Sequence, residues 1–288
     1  MFLADGWREY RVIDASRGEK LEDWNGHLLI RPDPQVIWDT PRTDPRWAKA
    51  EGHYKRSSTG GGHWEGKLPE RWLLHYKDLT FQIKPMGFKH TGVFPEQAYN
   101  WDFCRRLIEG ACREISVLNL FAYTGGATLA CAKSGARLCH VDAAKGMVAA
   151  AKENAALSGL ADAPIRYIVD DCKKFVEREI RRGRKYDAVI MDPPSYGRGP
   201  TGEIWKLEEA IHPLLQLITG VLSDNPLFVL VNSYTTGLSP TVMACLLGKT
   251  VRPLHGGRVV ADELGLPMED GLTLPCGGSA YWLPQNVL

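Results

Sequence analysis

The stretch Val117-Leu-Asn-Leu-Phe-Ala-Tyr-Thr-Gly-Gly126 joins an apolar run to two adjacent glycines. The run extends from Ile115 to Phe121 and is nearly continuous, which is typical of a parallel strand buried on both faces of a sheet. Because glycine has no Cβ, Gly125 and Gly126 let the backbone turn tightly and approach a ligand where a side chain would clash. The stretch therefore predicts a buried strand followed by a ligand-binding turn. We call this turn, Asn119 to Ala127, the cradle.

Further apolar runs follow the first one, and helical segments separate them. The runs are predicted to be parallel strands, and they cover Leu138 to Val141, Ile165 to Val169, Ala188 to Met191 and Leu227 to Val231. The segments predicted to be helices cover Gln97 to about Arg113, Lys145 to Ser158, Lys173 to Arg182, Leu207 to Thr219 and Pro240 to Leu247. An antiparallel pair between Val259 and Leu283 is expected to close the sheet. The alternation predicts an α/β fold with a doubly wound, Rossmann-like sheet.

The pattern changes near residue 95. Before that point, short apolar stretches such as Tyr10 to Ile13, His27 to Ile30 and Leu79 to Ile83 alternate with turn-rich segments. We therefore expect a small β-rich domain over residues 1–95, with a role in substrate binding, and the α/β domain over residues 96–288. Tryptophans are concentrated in the first part, where they could form a core, a base-stacking surface or both, and we expect most to lie in the core. They are Trp7, Trp24, Trp38, Trp47, Trp64 and Trp72.

Composition argues against several classes of protein. No apolar run approaches the roughly 18 residues needed to span a bilayer, and Asp5 comes too early for the apolar part of a signal peptide. Seven cysteines without a CxxC pair argue against a disulfide framework and against a zinc site of the usual spacing. With a net charge of +1, the chain lacks the large basic field of many nucleic-acid binders, so any RNA-binding surface must be local. We expect a cytoplasmic protein without a metal.

The residues that directly follow the predicted strands are the most informative, because ligands of open parallel sheets lie outside the carboxyl ends of the strands. The cradle follows the first strand, and Asp142 follows the second, where a carboxylate can accept both hydroxyls of a ribose. Asp170-Asp171-Cys172 follows the third, where a side-chain oxygen and the next backbone N–H could bracket an adenine edge. Glycines also end many strands and acids cap many helices, but the three features together favour a nucleoside site. NAD is disfavoured because no GxGxxG follows the first strand.

The fourth predicted strand ends in Met191-Asp-Pro-Pro-Ser-Tyr196. We call Asp192 to Tyr196 the proline loop. Pro193 and Pro194 fix φ and remove two donors, so the preceding carbonyls face outward as acceptors, while Asp192 adds a carboxylate and Tyr196 a flat stacking face. Such a loop suits a planar nitrogen heterocycle. An ordinary proline turn is the alternative, but the position at the ligand edge favours catalysis, and we assign it to Asp192, Pro193, Pro194 and Tyr196.

Together these features resemble the class I S-adenosylmethionine (SAM)-dependent methyltransferases. More narrowly, they resemble the bacterial large-subunit (23S) ribosomal RNA methyltransferases that act on cytosine C5 or guanine N7. The resemblance is carried by Lys89-His-Thr-Gly-Val-Phe-Pro-Glu-Gln97, the cradle, Val141-Asp142, Lys152-Glu-Asn154, Asp170-Asp171 and the proline loop. It implies SAM as cofactor and ribosomal RNA as substrate. It also implies that SAM lies against Tyr123, Thr124, Gly125 and Ala127, with its ribose on Asp142. The adenine is then expected near Asp171 and Cys172 and the methyl group by Asp192. Phe94 and Gln97 are expected to close over the cofactor.

One departure from the family concerns the methylated atom. The cytosine-C5 members attack the base with a cysteine after the fifth strand, because C5 needs a covalent adduct at C6 before it is nucleophilic enough. Here that stretch reads Leu230-Val-Asn-Ser-Tyr-Thr-Thr236, and we do not expect Cys276 to replace the missing thiol. A base nitrogen is therefore the favoured target, with Asn232 and Tyr234 as lining groups.

RNA as the substrate depends on the resemblance, because the amino-terminal part shows none of the cues of RNA-binding appendages. Lys55-Arg56 and the cluster Arg181, Arg182, Arg184 and Lys185 could contact phosphate, although such clusters are more often solvated surface. Two alternatives stay open. One is a methyltransferase that acts on a protein or a small heterocycle, and the other is a noncatalytic RNA-binding relic that keeps a nucleoside pocket.

Overall fold

The structure, a computed structural model, describes residues 1–57, 61–87, 89–198, 204–235 and 237–286. The chain divides into two compact units. The α/β unit comprises Met1, Asn100–Glu263 and Gly277–Leu288, and the β-rich unit comprises Phe2–Tyr99 and Leu264–Cys276. The chain therefore enters the β-rich unit twice.

The amino-terminal part of the β-rich unit is built from strands. The strands described there are Phe2–Leu3 (β1), Tyr10–Ser16 (β2), Glu19–Trp24 (β3), His27–Pro32 (β4), Gly52–Arg56 (β5), Gly62–Gly66 (β6), Trp72–Tyr76 (β7) and Leu79–Ile83 (β8). β2 to β6 form one sheet in chain order, which is antiparallel except for the pair β4–β5, and β7 and β8 form a hairpin. Short 3₁₀ helices lie at Pro45–Lys49 and Pro95–Gln97. The predicted β-rich amino-terminal region is confirmed.

The tryptophans of this region lie mostly outside its core, so the expectation that most of them fill the core is wrong. Of the six, Trp24 alone is fully buried, and its ring lies 4.7 Å from that of Tyr10. The other five are partly exposed. Each of them donates its indole N–H to a backbone or carboxylate oxygen at 2.5 to 3.0 Å. An indole combines a large apolar body with one polar N–H, and a position at the edge of the core satisfies both.

The α/β unit alternates strands with helices. Its strands are Ser116–Leu120 (β9), Arg137–Asp142 (β10), Ile165–Val169 (β11), Ala188–Met191 (β12), Tyr196–Arg198 (β13), Ile204–Lys206 (β14) and Phe228–Ser233 (β15), followed by Arg258–Pro267 (β16) and Thr273–Leu283 (β17), which belong in part to each unit. Its helices are Ala98–Gly110 (α1), whose first two residues belong to the β-rich unit, Gly126–Lys133 (α2), Lys145–Leu157 (α3), Cys172–Arg181 (α4), Leu207–Thr219 (α5), Pro240–Thr250 (α6) and Arg252–His255 (α7).

The sheet of this unit has the order β16-β17-β15-β12-β9-β10-β11. The five strands from β15 to β11 are parallel, and β17 runs antiparallel to β15. Side chains of the central strands are buried on both faces, as their continuous apolar runs predict. The α/β, doubly wound, Rossmann-like fold is confirmed, and its sheet is mixed.

Two elements that the sequence pattern does not predict adjoin the ligand edge. α2 begins directly after Gly125, which has left-handed backbone and supplies no side-chain cap, and it has only 8 residues. The hairpin of β13 and β14 begins within the proline loop at Tyr196. The glycines and prolines predict turns, but a regular element directly follows each turn. α2 follows the glycines, and the β13–β14 hairpin follows the prolines.

The helices are short, and the longest span 13 residues. In the described parts of the chain, none is long and apolar enough to cross a membrane. Among the same residues, no group of three or more His, Cys, Asp or Glu side chains is arranged to hold a metal ion.

Candidate active site

The loops after β9, β10, β11 and β12 share one edge of the sheet, because these strands are parallel neighbours. The chain moves outward from β9 to β11 and then returns to β12 on the other side of β9, so the strand order reverses between β9 and β12. Ligands of open α/β sheets bind at such a reversal. The cradle after β9 and the proline loop after β12 therefore flank the expected ligand position.

The cradle has an unusual backbone. φ is 55° at Phe121, 50° at Tyr123 and 92° at Gly125, so alternate residues are left-handed. Positive φ is uncommon outside glycine and clusters at functional sites. Neighbouring backbone holds the turn in place, since the Ala122 N–H donates to the Val141 carbonyl of β10 at 3.1 Å.

The two glycines of the cradle are needed for different reasons. Gly125 takes the left-handed conformation that begins α2, and a Cβ there would lie 3.1 Å from the Cβ of Ala151. A Cβ on Gly126 would lie 2.4 Å from Cζ2 of Trp101, a buried ring of α1. The cradle and Trp101 can therefore pack together only while residue 126 has no side chain.

Asp142, the last residue of β10, fixes the cradle from the neighbouring strand. Its Oδ2 accepts the backbone N–H of Tyr123 at 2.9 Å, and its Oδ1 accepts that of Ala144 at 2.8 Å. Burial raises the pKa of this carboxyl group, although both N–H donors act in the opposite direction. Each ionised oxygen has a further lone pair, so Asp142 can still accept the two hydroxyls of a ribose.

The residues after β11 have structural partners. Asp171 is the N-cap of α4, where its side chain accepts the Lys174 N–H at 2.8 Å, and Asp170 accepts the N–H of Asp171 at 2.9 Å. The thiol of Cys172 lies in the apolar core, where burial raises its pKa, and its Sγ accepts the Phe121 N–H at 3.3 Å. Cys172 thus supports the cradle through its side chain. Adenine contact by Asp171 and Cys172 stays a prediction.

A polar layer beneath the cradle was not predicted. Asn154 of α3 is buried and donates to the Thr124 carbonyl at 3.0 Å. Thr128 Oγ1 accepts from Asn119 Nδ2 at 2.9 Å and lies 2.9 Å from Nδ1 of His140. Burial lowers the pKa of His140 to about 4, so the ring is neutral and its Nδ1 can accept the Thr128 hydroxyl hydrogen. The sequence contains one indication of this layer, the family motif Lys152-Glu-Asn154.

The proline loop lies beside the cradle. The Asp192 N–H donates to the carbonyl of Leu120, the last residue of β9, at 3.4 Å. From the hairpin that follows, Trp205 donates its indole N–H to the Pro194 carbonyl at 2.7 Å, and its ring lies 5.2 Å from that of Phe121. The loop and the cradle are therefore connected through both backbone and aromatic contacts.

The far end of the loop is anchored separately. Ser195 Oγ accepts the Thr235 hydroxyl at 2.6 Å. Pro193 is buried, whereas the ring of Tyr196 is 53% exposed. An exposed ring at the end of a fixed loop is suited to stacking on a planar ligand. Asp192, Pro193, Pro194 and Tyr196 are thus brought together in one loop at the ligand edge, and their catalytic roles stay predictions.

Asn232, expected to line the site, is buried at the end of β15. Its Oδ1 accepts hydrogen bonds from Asn100 Nδ2 at 2.9 Å and from the Ser279 hydroxyl at 2.7 Å. The Tyr281 hydroxyl donates to Oδ1 of Asn100. Buried polar groups need such partners, so Asn232 has a structural role in this network. Thr236, the last residue of the stretch compared with the cytosine-C5 enzymes, lies outside the described residues.

Three predicted residues lie in the β-rich unit. Phe94 precedes the 3₁₀ helix that contains Gln97, and its ring is 5.1 Å from that of His90, while Gln97 is buried. Their contact with a cofactor stays a prediction. Burial raises the pKa of Cys276 well above its usual range. Since the thiolate is the nucleophilic form of cysteine, Cys276 is unsuited to attack a base.

Comparison with known proteins gives the same family from sequence and from structure. Residues 38–222 match the family described as S-adenosylmethionine-dependent methyltransferase. The crystal structure of a SAM-dependent methyltransferase from Agrobacterium tumefaciens is similar with 36% sequence identity and a TM-score of 0.92, over 98% of this chain and 92% of that chain.

Two curated relatives match a shorter part of the chain. Ribosomal RNA large subunit methyltransferase K/L of Shewanella frigidimarina is 30% identical over 147 residues, and ribosomal RNA large subunit methyltransferase I of Shewanella denitrificans is 30% identical over 155 residues. Each alignment covers 50% of this chain, but it covers only 20% of the first relative and 38% of the second. The match thus spans less than half the length of these relatives.

The cofactor of the family fits the residues of the cradle. The tight left-handed turn of the cradle, together with the acceptor capacity of Asp142, is suited to a nucleoside held close to the backbone. When bound, SAM supplies an activated methyl group. With a family match over residues 38–222 and 36% identity to a solved member along nearly its whole length, this chain belongs to the SAM-dependent methyltransferases.

Proposed function

We propose that this enzyme transfers the methyl group of SAM to a base nitrogen of ribosomal RNA in the cytoplasm. The observation that carries the proposal is the position of the proline loop, whose Asp192 is hydrogen-bonded to the last residue of the strand that leads into the cradle. A base held by this loop lies next to the cofactor site. The names of the two Shewanella relatives support ribosomal RNA as the substrate.

The residues of the loop would orient the base. Methyl transfer from a sulfonium is an in-line displacement that neutralises charge, so the protein has mainly to align the nucleophile and exclude water. Asp192 accepts an N–H of the base and serves as proton acceptor, the Pro193 carbonyl is a second acceptor, and Tyr196 stacks on the ring. The cofactor is held by residues of the cradle, by residues at the ends of the next two strands, and by two residues that precede α1 in the sequence. These are Tyr123, Thr124, Gly125, Ala127, Asp142, Asp171, Cys172, Phe94 and Gln97.

A nitrogen is the target because the described residues offer no suitable nucleophile for C5 chemistry at this site. The described part of the stretch that ends β15 and follows it, Leu230 to Thr235, contains no cysteine. The high pKa of Cys276 keeps its thiol protonated. A base nitrogen carries its own lone pair and needs no covalent adduct. We further propose that residues 1–95 help to bind the RNA, while residues 96–288 carry the transfer.

The test is a labelling experiment. The enzyme is incubated with methyl-labelled SAM and, separately, with total RNA and with protein extract from a strain that lacks it, and the labelled nucleoside is identified after digestion. We expect an N-methylated nucleoside from large-subunit ribosomal RNA. Label confined to protein or to small molecules would overturn the RNA substrate, and labelled 5-methylcytidine would overturn the choice of nitrogen.

A further inference from the structure

A cavity of about 450 Å³ lies in the α/β unit, at the edge of the sheet opposite the cradle. Its lining includes Ser116, Arg137, Arg166, Arg184, Lys185 and Tyr186. We call it the amino-edge pocket, because its residues lie before β9 to β12 or within the first three residues of these strands. Since each strand rises about 3.3 Å per residue, a sheet with strands of this length places the pocket roughly 15–20 Å from the cradle.

The lining of the pocket is cationic. It contains four Lys or Arg residues and neither Asp nor Glu. Within the described residues, the Arg184 guanidinium forms no ion pair, and Lys185 Nζ donates to the Gly220 carbonyl at 3.0 Å, which leaves its charge uncompensated. Arg137 pairs with Glu114 at 3.3 Å, but both side chains are about two-thirds exposed, and such a pair neutralises little in water.

The fourth cation, Arg166, faces a carboxylate that is shared. Glu179 is fully buried and lies 3.6 Å from Arg166, 3.1 Å from Arg182 and 2.5 Å from the Tyr186 hydroxyl. One carboxylate therefore serves two guanidinium groups, and positive charge remains in excess around the pocket. The same carboxylate accepts the hydroxyl of Tyr186, a further lining residue.

The cations form a row along the sheet edge. Arg184 and Lys185 precede β12, Arg137 begins β10, and Arg166 is the second residue of β11, the outermost strand of this side. Neighbouring strands are about 4.8 Å apart, so the row extends over roughly 14 Å. A mononucleotide presents its charge at one end, whereas a nucleic-acid strand presents one phosphate per nucleotide. Guanidinium groups bind phosphate in bidentate fashion. A row of them therefore matches a nucleic-acid strand better than it matches a mononucleotide.

We propose that the amino-edge pocket binds consecutive backbone phosphates of the RNA substrate. The proposal rests on the RNA substrate proposed above. The pocket contributes affinity and orientation and takes no part in the transfer itself, because it lies at the opposite edge of the sheet from the cradle and the proline loop. The cluster around Arg184 is thus a binding surface completed by Arg137 and Arg166 from distant parts of the sequence.

The test compares two doubly substituted enzymes with the wild type. Arg137→Gln/Arg184→Gln removes two pocket charges whose side chains are exposed, so folding should be preserved. The control Arg106→Gln/Lys249→Gln removes two exposed charges of the same unit outside the pocket lining. Binding of a fluorescently labelled fragment of large-subunit ribosomal RNA is measured by anisotropy over a range of salt concentrations.

For the pocket variant we expect affinity at low salt to fall about tenfold and the slope of log K against log salt to decrease by about 1.5, as for two lost phosphate contacts. In methylation assays its KM for RNA should rise by a similar factor, with kcat and SAM affinity unchanged. The control should resemble the wild type. Equal losses in both variants would show that only net charge matters and would overturn the proposal.

Two further outcomes separate this proposal from the proposed function. If the pocket variant binds and methylates RNA like the wild type, the pocket proposal is wrong and the RNA substrate stands. This conclusion holds even if AMP or pyrophosphate is found to bind the pocket of the wild type. If the wild type neither binds nor methylates RNA, the proposed function is wrong and the pocket proposal falls with it.

Discussion

The backbone N–H of Tyr123 donates to Oδ2 of Asp142 at 2.9 Å, so the carboxylate that ends β10 holds the turn that follows β9. Asp142→Asn replaces one of the two carboxylate oxygens by an NH₂ group, which cannot accept a hydrogen bond. Either a backbone N–H of the turn or a ribose hydroxyl then loses its acceptor. We expect the dissociation constant for SAM, measured by calorimetry, to rise about tenfold or more, which corresponds to about 1.4 kcal/mol. Asp162→Asn, at an exposed acid, is the control and should bind SAM normally.

The contact between Gly126 and Trp101 predicts a steric effect. Gly126→Ala would place a Cβ 2.4 Å from the Trp101 ring, so either α2 or the ring must move. We expect the free energy of unfolding to fall by about 1–3 kcal/mol, as for other overpacked cores, with a parallel loss of SAM affinity. Gly146→Ala in α3 is the matched control, because a Cβ there meets nothing within 4 Å. It should be neutral or stabilise the helix by up to about 1 kcal/mol. Equal stability of the two variants would contradict the packing argument.

The sequence was a good guide to the strands and a poor one to the layer beneath the cradle. Strands such as Ala188–Met191 are buried on both faces, and this burial requires the continuous apolar runs by which they were predicted. The position of Asp142 at the ligand edge follows from the same strands. The contacts of Thr128 with Asn119 and His140 depend instead on how α2 packs on two strands, and no local pattern records that packing.

The roles of single polar residues were also hard to predict. Asn232 follows a strand at the expected edge, yet its oxygen is engaged by Asn100 and Ser279, which come from distant parts of the sequence. Arg184 was recognised as part of a charged cluster, but Arg137 and Arg166 join it only when the starts of neighbouring strands are aligned. Residue type indicates which chemistry is available, and tertiary contacts decide which groups perform it.

The buried imidazole of His140 predicts a dependence of stability on pH. Burial lowers its pKa from 6.5 to about 4 in the folded protein, so on acidification the unfolded chain binds a proton first. The contribution of His140 is therefore fully present above pH 6.5 and is lost as the pH falls towards 4. Between pH 7 and 4.5 the wild type should lose about 2 kcal/mol more stability than His140→Gln, as measured by urea unfolding at each pH.

His212→Gln is the control for this experiment, because His212 is exposed on α5. It should follow the wild-type pH profile. If His140→Gln loses as much stability as the wild type on acidification, then the ring of His140 is not held neutral by burial.

The proline loop predicts that binding and transfer can be separated. Asp192→Ala removes the carboxylate proposed to orient the base, whereas the residues of the cradle stay in place. We expect SAM affinity to stay nearly unchanged while kcat falls by about 100-fold or more, the usual scale for loss of a group that acts on the transferred proton. Asp192→Asn retains one acceptor oxygen but no charge, so partial activity would indicate orientation alone, and equal loss would indicate proton acceptance as well.

Asp224→Asn, at an exposed acid of the same unit, should leave kcat unaltered. Full activity of Asp192→Ala would remove this residue from the mechanism, and the base would then have to be oriented by Tyr196 and backbone carbonyls.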